Sequence, residues 1–307
     1  MSSTSIGSLT VGPLCLGTNV FGRAVDNAAD AARILDAFVD GGGDFVDTAD
    51  LYGNTVSETF IGEWLAGRGR RDDVVVATKI GWPTNEVHKG LKPDTMRAAV
   101  DDCLRRLRSD RIDLLYTHHD DETVTIPEIV GTLDEFVRAG KVREIAASNL
   151  SPERLTESLD FSAANGTARY VALQPHYSLM SRDTYEGPLA DVAEKFDLAV
   201  FPYFSLAMGF LTGKHRPGVE ADSMRSGAVA GYVNSERGRR VLEVMDQIAA
   251  ETGADLASIA LAWLSSRRQV AAPIASARKL DQLPALLAAA SLQLTPAQLD
   301  ALTTASA

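Results

Sequence analysis

The sequence predicts an α/β fold of the (β/α)8 TIM barrel class, a single domain over residues 1–307 with an N-terminal β-hairpin closing the barrel bottom. Three observations predict it. Strand and helix patterns alternate along the chain rather than segregating. The strands are short continuous apolar runs, as in parallel sheets covered on both faces. About eight such units fill 307 residues, which suits a closed barrel. A doubly wound open sheet competes, but no G-x-G-x-x-G follows an early strand.

The elements follow in order. SIGSL and TVGPL read as the hairpin, and GPLCLGT carries the first barrel strand. AADAARILDAFVDGGG places Ile34, Leu35 and Phe38 on one helical face and ends in glycines. DFVDTA is the second strand, followed by the helix SETFIGEWLAG with Ser57 as N-cap and Gly67 at its end. VVVATKI is a strand ending near a lysine, and KPDTMRAAVDDCLRRLR opens a helix with Pro93. IDLLYTHH, VREIAASN, YVALQP and LAVFPY are strands four to seven. Between them lie the helices IPEIVGTLDEFVRAGK, SPERLTESLDFSAANG (capped by Ser151) and PLADVAEKF. After a Gly-containing stretch over 209–231, which reads as a loop able to cover a cofactor, come the helices SERGRRVLEVMDQIAAETG and DLASIALAWLSSRR. The strand VAAPIAS and a last helix over about 279–290 complete the pattern.

Composition narrows the function. A formal net charge of −11 argues against a nucleic-acid or anionic-membrane surface, though not against a small anion in a local pocket. Cys15 and Cys103 are the only cysteines, with no C-x-x-C, so both read as packed thiols in a reducing compartment. No basic-then-apolar leader opens the chain, and no run approaches the roughly 18 apolar residues of a membrane span. A cytoplasmic location is expected. No heptad or apolar surface stripe indicates an oligomeric state.

The stretch DFVDTADLYG poses the functional question, because a strand that begins apolar ends in Asp47, Asp50 and Tyr52. In a barrel the C-terminal strand ends line one mouth, where function resides. Nearly every strand delivers a polar group there: Asp47 and Tyr52, Lys79, His118, Ser148 with Asn149, Gln174, Tyr203, and Ser276 with Arg278. Each alone could be turn chemistry; together they read as a site. Alternate strand residues share a face, so an inward Lys79 implies inward Ala77 and Val75, and an inward His118 implies inward Tyr116 and Leu114. His119 then points outward or into the following loop. The run HHDDE (118–122) suggests a metal-dependent hydrolase, but successive strand residues cannot converge on one ion. A neighbouring lysine would also repel a divalent cation. No metal is expected.

At these residues the chain resembles the aldo-keto reductase superfamily over essentially its whole length. DTADLYG is similar to that family's D-T-A-x-x-Y-G, VVVATK to its third strand, IDLLYTHHD to D-L-x-x-x-H, and IAASN to G-x-S-N. LQPHYSLM is similar to N-Q-x-x-Y-N-L and YFSLAMGFLTGK to Y-S-P-L-x-x-G-x-L-T-G-K. The resemblance implies reduction of an aldehyde or ketone to an alcohol by hydride transfer, with Asp47, Tyr52, Lys79 and His118 as the catalytic tetrad. Such chemistry needs an acid for the developing alkoxide. A free tyrosine, with a pKa of about 10, is a weak one. The Lys79 ammonium is expected to lower that pKa, Asp47 to hold the lysine, and His118 to orient the substrate oxygen.

The resemblance further implies a nicotinamide cofactor, NADPH (NADP) over NADH. Ser148, Asn149 and Gln174 correspond to carboxamide contacts and Tyr203 to the aromatic that stacks on the ring. Asp47, Gly17, Thr18, Ser205, Leu206, Gly209, Leu211 and Lys214 match further cofactor positions. Ser276, Arg278 and Gln282 match the adenosine end, where a helix N-terminus and a guanidinium suit a phosphate. Phe21, Trp82 and His119, with Tyr52 and His118, are expected to wall the pocket of a small-molecule carbonyl substrate. Three departures stand out: PALL (284–287) replaces a Glu-Asn pair, Phe204-Ser205 replaces Ser-Pro, and Leu173 replaces Asn. Two alternatives keep the fold: a cofactor-binding redox-sensing partner subunit, and a redox-neutral NADP-dependent lyase or epimerase.

Overall fold

A computed structural model describes residues 3–216, 218 and 226–307. The hairpin comes first: β1 (Thr4–Ile6) and β2 (Leu9–Val11) pair antiparallel, with Ile6 opposite Leu9. Its turn lies at Gly7–Ser8, where Gly7 has φ 55°, two residues before the expected position. Ile6, Leu9 and Val11 pack into the same apolar cluster as Phe45, Leu114 and Phe201, so the hairpin plugs one end of the barrel. Glu144 Oε1 accepts the Ser8 N–H at 2.6 Å, and Arg143 donates to Ser8 O at 3.1 Å, fastening the plug to a strand start.

The barrel strands are β3 (Cys15–Gly17), β4 (Phe45–Asp47), β5 (Val75–Ile80), β6 (Ile112–Thr117), β7 (Val142–Ser148), β8 (Tyr170–Gln174), β9 (Ala199–Val200) and β10 (Ile274–Ala275). All eight pair parallel, in the order β10-β3-β4-β5-β6-β7-β8-β9. Val200 N to Gln269 O at 2.8 Å, Ala271 N to Val200 O at 3.0 Å and Ile274 N to Pro202 O at 2.9 Å join the two ends of that order. The sheet therefore closes, and the (β/α)8 expectation is met.

The helices between strands are α1 (Ala28–Asp40), α2 (Val56–Arg68), α3 (Pro93–Leu107), α4 (Ile126–Arg138), α5 (Pro152–Asn165) and α6 (Pro188–Lys195). Then come α7 (Ser226–Asn234), α8 (Glu236–Thr252), α9 (Leu256–Ser265), α10 (Leu283–Ala288) and α11 (Pro296–Ala305). Their apolar faces and the outward strand residues Val46, Val76, Leu115, Ala147, Leu173 and Val200 form one buried layer. Cys15, Phe45, Ala77, Leu114, Tyr116, Ala146, Ala172, Phe201, Ala272 and Ile274 fill the interior as a separate cluster.

That division places the site. Two residues beyond an inward residue is inward again. Above Phe45 stands Asp47; above Ala77, Lys79; above Tyr116, His118; above Ala146, Ser148; above Ala172, Gln174; above Phe201, Tyr203; above Ile274, Ser276. All lie at the mouth away from the hairpin.

Several local expectations need correction. Ser57 does not cap α2: Thr55, in a left-handed conformation, precedes the helix, and the buried Ser57 hydroxyl donates to Thr18 O at 3.1 Å and Thr18 Oγ1 at 2.9 Å. The same helix passes Gly67 and ends at Gly69. The 209–231 stretch is not one loop: a 3₁₀ segment covers Ala207–Thr212 and α7 begins at Ser226, while residues 217 and 219–225 lie outside the described residues. The expected helix at 279–290 is a 3₁₀ turn, Leu280–Gln282, followed by α10. Beyond it α11, unforeseen, is closed by a capping box between Thr295 and Gln298.

Candidate active site

Register explains how the first pair forms. Asp47 on β4 lies level with Ala77, so Lys79 sits one inward step further along β5, roughly 7 Å up the strand. Its side chain reaches back to place Nζ 2.6 Å from Asp47 Oδ2 and 2.7 Å from Thr48 O. Lys79 is fully buried and Asp47 nearly so. Tyr52, on the turn before α2, brings its hydroxyl to 3.3 Å from the same ammonium, and its ring centroid lies 4.8 Å from Nζ. Gln174 Nε2 donates to Asp47 Oδ1 at 2.9 Å, so each carboxylate oxygen has a donor.

These contacts set the protonation states. Burial acts to lower the Lys79 pKa, but Asp47 and Tyr52 outweigh it, and the ammonium is held above its ordinary value. For Tyr52, burial raises the phenol above its usual value, Lys79 acts downward and Asp47 upward. The expected lowering is thus present as one contribution but does not win; the phenol stays protonated. His118 is driven well below the usual imidazole value, first by burial and then by Lys79 and His119, so its ring is neutral near pH 7.

His118 follows β6 with its ring 6.0 Å from that of Tyr52, and its buried Nδ1 has no hydrogen-bond partner among the described residues. Trp82, on the segment after β5, lies 4.8 Å from the His118 ring and 5.6 Å from that of His119. His119 has turned into the loop, where Nδ1 meets Asp120 O at 2.9 Å. Tyr52, Trp82, His118 and His119 are thus neighbours. Phe21 is not among them as an open wall: at 1% exposure it is packed with the helix-side layer.

The residues matched to cofactor positions form a connected rim. Tyr203 OH donates to Asn149 Oδ1 at 3.0 Å, and Asn149 Nδ2 donates to His118 O at 2.8 Å. Ser148 Oγ donates to Gln174 O at 2.9 Å. Thr18 Oγ1 donates to Asp47 O at 2.9 Å and Ser205 Oγ to Pro202 O at 2.9 Å, so both hydroxyls are already engaged in a buried setting. Phe204, Ala207, Met208 and Gly209 all have positive φ, and the Ala207 and Gly209 N–H groups close the loop on Phe204 O at 2.7 Å and Leu206 O at 2.8 Å. Leu206 is half-buried at its start, whereas Leu211 is fully buried and serves packing. A Cβ on Gly209 would lie 3.3 Å from Lys214 Nζ, so that ammonium crosses the loop closely. A Cβ on Gly17 would meet Ile274 Cγ2 at 2.8 Å and Ser276 Oγ at 2.9 Å, so only glycine fits between β3 and β10 there. Ser276 Oγ donates to Asn19 Oδ1 at 3.0 Å, and Gln282 Oε1 accepts the Arg278 N–H at 2.8 Å. Among the described residues, nothing pairs with the Arg278 guanidinium.

The sequence reading missed the ring of polar groups beneath the site. Glu58 is fully buried and accepts from Arg106 Nε at 2.6 Å and Thr78 Oγ1 at 2.5 Å. Gly62 makes this possible: a Cβ there would lie 2.0 Å from Arg106 O, so α2 and α3 touch backbone to backbone. Among the described residues there is no group of three or more His, Cys, Asp or Glu placed to hold a metal ion.

At the barrel mouth a phenol and a carboxylate flank one ammonium, beside a neutral imidazole, an arrangement chemically able to pass protons. The aldo/keto reductase family model matches residues 13–307. The chain belongs to that family and is an oxidoreductase of the aldo-keto reductase type. It is 31% identical to norsolorinic acid reductase B of Aspergillus parasiticus, the match covering 96% of this chain and 81% of that protein. It is 30% identical to an aryl-alcohol dehydrogenase [NADP(+)] of Phanerodontia chrysosporium, over 97% and 81% of the two chains. To the protein tas of Escherichia coli it is 29% identical, over 94% and 92%. The family binds small-molecule carbonyl substrates and generally uses nicotinamide cofactors. No helix among the described residues is long and apolar enough to cross a membrane.

Proposed function

We propose that the protein is an NADPH-dependent reductase of aldehydes or ketones, with aromatic carbonyl compounds as its substrate class, acting as one domain in the cytoplasm. The contact of Tyr52 OH with Lys79 Nζ, itself held by Asp47, carries the reading. Tyr52 is a protonated phenol whose conjugate base an adjacent ammonium would stabilise, which is what a proton donor to a developing alkoxide requires. Asp47 and Thr48 O keep that ammonium charged and aimed. The neutral His118, its ring 6.0 Å from that of Tyr52, orients the carbonyl oxygen. Trp82 and His119 supply an aromatic wall, and a relative named for aryl alcohols supports that class.

The rim residues fit a nicotinamide dinucleotide. Tyr203 would face the nicotinamide, and Asn149, Ser148 and Gln174 its carboxamide. The positive-φ loop from Phe204 to Gly209 would take the pyrophosphate, with Arg278 and Ser276 at the adenosine phosphate. When bound, the cofactor supplies the hydride. The test is NADPH consumption against a panel of aromatic and aliphatic aldehydes and ketones, with Tyr52→Phe beside the wild type. Turnover that drops by roughly two orders of magnitude in the variant, with NADPH binding kept, supports the assignment. Equal turnover in both overturns it.

A further inference from the structure

Asp50 belongs to DTADLYG, yet neither strand parity nor the family resemblance assigns it a role. Its side chain is buried. Its backbone N–H donates to Lys79 O at 3.1 Å, Oδ2 accepts from Asn85 Nδ2 at 2.8 Å, and Oδ1 has no side-chain partner among the described residues. Asn85 organises residues 81–90, the segment joining β5 to α3: its N–H donates to Trp82 O at 3.1 Å, and its Oδ1 accepts the Val87 N–H at 3.0 Å. The segment is tied to α3 as well, by His88 Nε2 to Asp102 Oδ2 at 2.9 Å. The Asp50–Asn85 bond therefore joins the turn that carries Tyr52 to the segment that carries Trp82. A buried carboxyl whose side-chain partner is one neutral amide, Asn85, is costly if the position only needs filling.

We propose that Asp50 is a positioning residue: through Asn85 it holds segment 81–90, and the Trp82 ring with it, over His118, and so sets how firmly an aromatic carbonyl substrate is held beside Tyr52. The substrate half rests on the proposed function; the holding of Trp82 does not.

Groups facing Asp50 are Glu58 of α2, Arg106 and Cys103 of α3, and the Lys79 carbonyl of β5. Burial first, then Glu58, raise the Asp50 pKa to about 7 against the pull of Arg106, the Leu51 backbone N–H and the Asn85 bond. The ionised carboxylate takes a stronger, charge-assisted bond from Asn85 than the neutral acid does. The hold on Trp82 thus tightens as pH rises through about 7. His118 and His119 flank the ring, and His88 lies on the segment, so the test must tell them apart from Asp50.

Trp82 emission, taken as wild type minus Trp82→Phe, separates them when followed from about pH 5 to pH 9. A transition near pH 7 is expected in the wild type and in His119→Gln, and none in Asp50→Asn or Asn85→Ala. With an aromatic aldehyde, Asn85→Ala should raise KM about five- to tenfold and leave kcat within about twofold. Asp50→Asn, which keeps an acceptor for Asn85, should hold KM near the wild-type value and lose its pH dependence. A transition that survives in Asp50→Asn, or parallel loss of kcat and kcat/KM in Asn85→Ala, overturns the proposal. The emission arm needs no turnover, so absence of reductase activity counts against the proposed function and leaves this test intact. Should Asp50→Asn fail to fold, the half-buried Asn85 site carries both arms.

Discussion

Asp47 is bonded through one carboxylate oxygen to Lys79, at 2.6 Å, and through the other to Gln174, at 2.9 Å. Strands β4 and β8 stand four places apart in a ring of eight, so the Gln174 bond crosses the full width of the barrel. A carboxylate anchored on both sides cannot rotate away from the ammonium it holds.

Gln174→Leu removes that anchor and leaves Asp47 Oδ1 buried without a donor. An unsatisfied buried acceptor costs about 1–3 kcal/mol, more for a charged one. Urea denaturation should show a loss of that size. Turnover should fall about tenfold as Asp47 and Lys79 lose their fixed alignment. Unchanged stability would mean that the Gln174 amide contributes nothing through Asp47.

Lys79 and Asp47 test as a pair. Lys79→Met alone strands a buried carboxylate, and Asp47→Asn alone strands most of a buried ammonium's charge. Each should destabilise by about 3–5 kcal/mol. Carrying both changes, the protein should regain most of that stability and none of its activity, since Tyr52 then lacks the adjacent cation. A double-mutant cycle on chemical denaturation, with NADPH turnover alongside, reads both results.

Asp47, Lys79 and His118 were legible because a strand shows alternate residues on alternate faces, and their inward neighbours Phe45, Ala77 and Tyr116 do form the interior cluster. The barrel was legible for the same reason. Long-range side-chain bonds were not. Asp50 and Asn85 are 35 residues apart and Glu58 and Arg106 are 48 apart, and the latter pair depends on Gly62 letting two helices meet. Ser57 misled because its hydroxyl joins Thr18 and Thr48 in a buried network instead of capping α2. Helix α11 was readable in TPAQ, a Thr followed three residues later by Gln, but it lies beyond the eighth unit, where the alternation no longer calls for another element.

The pH profile follows from two opposite shifts. Tyr52 ionises above its ordinary value and His118 well below its own. The acid form of Tyr52 drives reduction, so reduction should show no histidine-like step between about pH 6 and pH 8. Oxidation of the alcohol needs the phenolate. Its rate should therefore climb roughly tenfold per pH unit, with no plateau below about pH 10. Stopped-flow rates at saturating alcohol would show either this rise or an early plateau, and the plateau would place the base elsewhere.

Arg278 is a guanidinium just ahead of the 3₁₀ turn Leu280–Gln282, with no partner among the described residues. A phosphate there would gain a charge-assisted contact of about 1.5–3 kcal/mol. Arg278→Ala should accordingly weaken NADPH binding about 10- to 100-fold and leave NADH binding nearly unchanged. Calorimetric titration with each cofactor separates the cases, and equal losses for both would remove Arg278 from phosphate recognition.

Asp50 also predicts how stability varies with pH. In the unfolded chain its carboxyl loses its proton near 3.8, whereas the folded protein holds it to about 7. Between those values the folded state binds more protons, so this group's contribution to stability falls as pH rises, and its full penalty applies above about 7. At about 1.4 kcal/mol per pH unit, the penalty reaches at most about 4 kcal/mol. Asp50→Asn removes the ionisation while keeping the shape. The variant should match the wild type below about pH 4, gain progressively through the window, and be the more stable protein at pH 8. Thermal denaturation at several pH values measures the difference, and a gain of the same size at every pH would assign it to packing rather than to the carboxylate's charge.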